Sequence, residues 1–127
     1  MRRVLLSGLL LLLSFPLSLR AFEDKGRECF IFINSSIPEQ LSLFNEFNHE
    51  FFLSRKLQGQ GKVTFINIGQ IPVANSFITP IINDSQGIWV RKFKPQSLPA
   101  LYSVSHQKAL ARVIFTTGEI RQCLQGK

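Results

Sequence analysis

The residues able to do covalent chemistry are few: two cysteines, Cys29 and Cys123, two histidines, His49 and His106, and the serine pair Ser35-Ser36. A reactive thiol must be held as thiolate, and a helix N-terminus is one place that favours it. The first clear helix start follows the apolar run Cys29 to Ile33, in the stretch Asn34-Ser-Ser-Ile-Pro-Glu39. That start carries Ser35, Ser36 and Pro38 and no cysteine. A serine nucleophile would need an adjacent base, yet His49 stands about three and a half helical turns beyond Ser36. Metal binding would need clustered ligands, and two separated histidines with two separated cysteines form no motif. These observations predict no catalytic residue, no metal site and no cofactor, hence a protein that is not an enzyme. The cysteines have two readings. An even count in an exported chain invites a disulfide, and Cys29 also serves as a small apolar strand residue.

Export is read from the start of the chain. Arg2 and Arg3 precede the apolar run Val4 to Leu13, Pro16 breaks it, and Ala21 is a fitting last residue before cleavage. Residues 1–21 are thus expected to be a signal peptide and 22–127 a single domain. Val4 to Leu19 falls short of the about 20 apolar residues that a spanning helix needs, although an uncleaved anchor is the alternative. The formal charge of +7 contains Arg2, Arg3 and Arg20. The remaining excess is ordinary for solubility and argues against nucleic acid as the partner.

The elements that position these residues follow from hydrophobic pattern. Cys29 to Asn34 reads as a strand buried on both faces, the signature of a central parallel strand. Ser36-Ile-Pro-Glu39 matches a capping box, with Ser36 as N-cap. Apolar residues at 37, 41, 44, 47, 51 and 52 then mark one helical face. Lys62 to Ile68 is a second strand, and strand, helix and strand together make a right-handed parallel unit. Gly69 to Gln86, broken by Pro72 and Pro80, admits a short helix around Val73 to Ile78 or Pro80 to Ile82. Ala100 to Ser105 and Leu110 to Gly118 read as strands joined in a hairpin, against a competing helix over Ser105 to Ile114. Glu119 to Lys127 closes the chain as a short helix.

This order is similar to the thioredoxin-like α/β fold: a small mixed sheet from a βαβ unit, a C-terminal hairpin and a short helix. A thioredoxin carries a Cys-x-x-Cys pair where this chain has its serines. "FIFINSSIPEQ" and "SLPALYSV" resemble the strand followed by Ser-x-Pro-Glu and the Val-Pro-Ala motif of the F-type conjugative transfer pilin-assembly family, TrbC-type. The resemblance spans roughly residues 29 to 125. It implies a non-catalytic periplasmic accessory for assembly of a conjugative, type IV secretion pilus. The partners it implies are proteins of the pilus apparatus, including a TraW-type protein. It also implies a cis peptide at Leu98-Pro99, and a partner-binding surface of Ser35, Ser36, Pro38, Ser97, Leu98 and Pro99. This chain departs from the family in its short N-terminal arm. Asn67-Ile68-Gly69 also stands where the family has Leu-Arg-Gly.

Two other classes remain open on the residues. A thiol-disulfide oxidoreductase-like protein would use Cys29 or Cys123. A membrane-surface binder would place basic residues on one face with an aromatic. Arg91, Lys92 and Lys94 around Phe93 are the place to look, as a solvated loop or as a docking surface. The triplets Asn34-Ser-Ser36 and Asn83-Asp-Ser85 match a glycosylation pattern that chance produces often.

Overall fold

The computed structural model describes residues 27–126 apart from 77, 106, 107 and 115. The predicted signal peptide and His106 lie outside the described residues. The elements are β1 (Glu28–Ile33), α1 (Pro38–Leu53), α2 (Arg55–Gln58), β2 (Lys62–Asn67), β3 (Ile81–Asn83), α3 (Ile88–Phe93), β4 (Ala100–Ser105), β5 (Lys108–Val113) and α4 (Thr117–Gln125). They form one mixed sheet in the order β3-β2-β1-β4-β5. The β1–β2 and β2–β3 pairs are parallel, and β1–β4 and β4–β5 are antiparallel. This is the expected thioredoxin-like architecture.

The sheet has two unequal faces. Ile31, Ile33, Val63, Phe65 and Leu101 meet Leu43, Phe44, Phe47 and Phe51 of α1 and Ile120 and Leu124 of α4. Phe32, Ile66, Ala100 and Tyr102 meet Trp89, Val90 and Phe93 of the six-residue α3 on the other face. Ile31, Phe32 and Ile33 are all fully buried, so β1 is covered on both sides, as its unbroken apolar run requires.

The structure corrects several element boundaries. The segment read as a short helix instead supplies β3 at Ile81–Asn83, a parallel edge strand beside β2. The basic stretch around Phe93 is helix α3, entered through Gly87 and left through Lys94, both in the left-handed region. The second hairpin strand spans Lys108–Val113. Ile114 leaves it, giving its N–H to the Pro99 carbonyl at 3.1 Å. On α1, Ile37 and Phe52 are exposed, and the buried stripe is Gln40, Leu43, Phe44, Phe47 and Phe51.

The capping box at Ser36 does not form. The residue before a proline is pushed out of the helical region, and Ile37 accordingly has φ −101 and ψ 113. Ile37 is therefore the N-cap, with Pro38 first in the helix. Ser36 lies outside it, exposed, its N–H given to Asn34 Oδ1 at 2.9 Å.

Candidate functional site: the two ends of the first strand

The cysteines meet at the start of β1. Cys29 and Cys123 are joined as a disulfide with Cα atoms 6.4 Å apart and a sequence separation of 94. The bond ties the central strand to α4. Both residues are buried, at 1% and 3% exposure, in the cluster that holds Phe47, Val63 and Leu124. Helix α4 is also held to α1, since the Thr117 hydroxyl donates to Glu50 Oε1 at 2.8 Å and Arg121 pairs with the Glu50 carboxylate. Its start is set by Thr116, whose N–H is accepted by Glu119 Oε1 at 3.1 Å.

The other end of β1 is held by amides. Asn67, 1% exposed, ends β2. Its Oδ1 accepts the N–H of Ser35 at 3.0 Å and of Gly69 at 2.9 Å. Its Nδ2 donates to the Ile71 carbonyl at 2.8 Å and to Asn83 Oδ1 at 3.0 Å. The buried Ser35 hydroxyl also donates to the Ile71 carbonyl. Gln40 reaches back from α1 to accept the Asn34 N–H at 2.7 Å. All four hydrogen-bonding positions of the Asn67 amide are thus filled. Gly69 is required by close approach, because a Cβ there would sit 2.4 Å from Asn34 Oδ1.

The six residues expected to form a partner surface come to this same end. Phe32 pairs with Ala100, so the residues following β1 and those preceding β4 leave the sheet side by side. Leu98-Pro99 is cis. Ser36, Pro38 and Ser97 are exposed, and Leu98 and Pro99 are half-buried. Ser35 is turned inward and is not part of the exposed surface. The asparagines were missed in the sequence. Their signal was a polar residue closing each buried strand, Asn34 after Phe-Ile-Phe-Ile and Asn67 after Thr-Phe-Ile.

Among the described residues no group of three His, Cys, Asp or Glu could hold a metal ion, and no helix is long and apolar enough to cross a membrane. His49 is exposed. Burial pushes the Tyr102 phenol above its ordinary value of 10.0.

No family model and no curated sequence matches the chain. Solved structures do. StoA from Bacillus subtilis is 16% identical, with 78% of this chain and 82% of that one covered and a TM-score of 0.56. The pneumococcal exposed lipoprotein thioredoxin Etrx1 from Streptococcus pneumoniae is 11% identical, with 84% and 89% covered and a TM-score of 0.62. At these identities the likeness is one of fold. The expectation that the protein is not an enzyme is corrected: it rested on no cysteine at the helix start, no base beside the serines and no ligand cluster, whereas the chain folds like a thioredoxin and its two cysteines form a disulfide, Cys29–Cys123.

Proposed function

We propose that the chain acts outside the cytoplasm as a thiol–disulfide oxidoreductase-like protein of the thioredoxin fold, with Cys29–Cys123 as its redox couple. The observation that supports this most is the couple itself, formed by the two cysteines of the sequence. Disulfides persist in oxidising compartments, which agrees with the export signal read from residues 1–21. The exchange requires a dithiol partner. One partner thiolate attacks a sulfur of the pair, forms a mixed disulfide and expels the other sulfur as a thiolate, which takes a proton. The partner's second thiol then resolves the mixed disulfide, leaving the pair reduced and the partner oxidised. Both sulfurs are buried, so α4 must lift from β1 for the attack. The test is incubation of the folded protein with a reduced dithiol protein, followed by trapping of free thiols. Reduction without denaturant supports the reading. A pair reduced only after unfolding refutes it.

The opposite end of β1 favours a second reading, assembly of a conjugative pilus in the periplasm. Ser36, Pro38 and Ser97 are exposed there beside the Pro99-Ala100 start of β4, the positions on which the family resemblance rests. This surface would receive an extended segment of a pilus-assembly protein, a TraW-type protein included. Deletion of the gene should then abolish mating and surface pili, and normal pili would sink this reading.

A further inference from the structure

We propose that α3 and the loop behind it form a docking groove for an acidic, partly apolar polypeptide segment. Trp89, Val90 and Phe93 turn toward the sheet and are half-buried. Ile88, Arg91 and Lys92, at i, i+3 and i+4, form the opposite, exposed stripe. Lys94 extends it past the helix end. Lys92 Nζ lies 5.6 Å from the centroid of the Trp89 ring and 5.9 Å from that of Phe93. Arg91 donates to the Gln86 carbonyl at 3.0 Å.

Among the described residues no carboxylate forms an ion pair with Arg91, Lys92 or Lys94. The nearest acid in the chain, Asp84, accepts the N–H groups of Trp89 and Val90 at 3.3 and 3.1 Å. Three cations thus stand on one exposed surface without a carboxylate ion pair among the described residues. Val90, Arg91, Lys94, Pro95 and Gln96 line an open groove of about 720 Å³. Of this lining, Val90 and Pro95 are half-buried and apolar, and Arg91 and Lys94 are exposed cations. The apolar part accepts aliphatic side chains, and the cations accept carboxylates. A segment alternating acidic and aliphatic residues matches both demands. A membrane surface would be met by the same charges, but not by the groove between them. This docking is independent of the cysteine couple, which lies on the opposite face of the sheet, packed with α1 and α4.

Trp89 is the sole tryptophan of the chain and neighbours Val90 of the groove lining in α3. The probe is a synthetic peptide of alternating glutamate and leucine, titrated at low ionic strength while Trp89 emission is followed. We expect a saturable change that weakens as salt rises. The R91E/K94E variant leaves Lys92 over the ring and should bind about tenfold or more weakly. Both residues are exposed, so its circular dichroism and midpoint should match the wild type. Absence of binding by the peptide overturns the proposal. So does unchanged affinity in R91E/K94E, or equal binding of the lysine–leucine counterpart. Binding to phosphatidylglycerol vesicles without binding to the peptide overturns it in favour of a membrane surface.

Discussion

The two ends of β1 are secured by different physics. At its start a covalent bond closes the chain across 94 residues and joins strand to helix. At its far end one buried amide, Asn67, gathers the strand ends and their loops through hydrogen bonds. The covalent tie acts on the unfolded chain, by removing its conformational freedom. The amide acts on the folded chain, because its own side chain is buried and its hydrogen bonds replace those that water can no longer make to it. The first can be undone by a reductant without changing a side chain. The second can be undone only by mutation or unfolding.

The largest expected effect comes from opening the covalent end. A closed loop of this length contributes roughly 4–5 kcal/mol on the chain-entropy account. Urea unfolding of C29S/C123S should show a loss of that order, and a loss below about 1 kcal/mol would make the tie energetically idle. Next is Asn67→Leu, which leaves the Ser35 and Gly69 N–H groups without their partner and the Ile71 carbonyl with the Ser35 hydroxyl alone. At about 1–3 kcal/mol per stranded buried group, softened by relaxation, we expect a total of roughly 3 kcal/mol. Chemical denaturation of the oxidised protein measures it. A third comparison separates the two serines. Ser35→Ala removes a buried hydroxyl bond and should cost about 1 kcal/mol, whereas Ser36→Ala should stay within about 0.5 kcal/mol. Equal losses would restore Ser36 as a helix cap.

The smallest effect is a pH dependence. The folded state holds Tyr102 neutral to a higher pH than the unfolded chain does. Its contribution to stability is complete below the unfolded value near 10 and is lost as pH rises through the folded value. Tyr102→Phe should therefore flatten the alkaline limb of the stability curve above about pH 10 and leave neutral pH free of this effect. Parallel limbs in the two proteins would contradict the assignment.

Much of this architecture was legible because long apolar runs leave few choices. β1, α1 and β2 were readable from their apolar pattern, while the hairpin had to be preferred over a competing helix and its second strand begins and ends earlier than expected. β3 and α3 were not, since three and six residues are too short for a period to emerge among prolines and glycines. The two Ser/Thr-x-x-Glu patterns are instructive. Thr116 to Glu119 starts a helix as the pattern predicts, while Ser36 to Glu39 does not, because Pro38 forces Ile37 into extended backbone. The residues expected to form a partner surface came from the resemblance, and they lie at one end of β1 with Ser35 turned inward. The asparagines that shape it were missed, because their role depends on pairing β1, β2 and β3, which no local spacing reveals. The disulfide was one of two open readings, since a strand cysteine looks the same whether paired or merely buried.

On the proposed function, Cys29–Cys123 exchanges electrons while the protein is folded. It is tested most directly by equilibrating the native protein with graded thiol–disulfide buffers, trapping with an alkylating reagent and weighing the intact chain. We expect a reversible two-thiol transition in native buffer, with an equivalent amount of buffer thiol oxidised. A pair that stays oxidised until denaturant is added would contradict it and leave the bond as a purely structural tie.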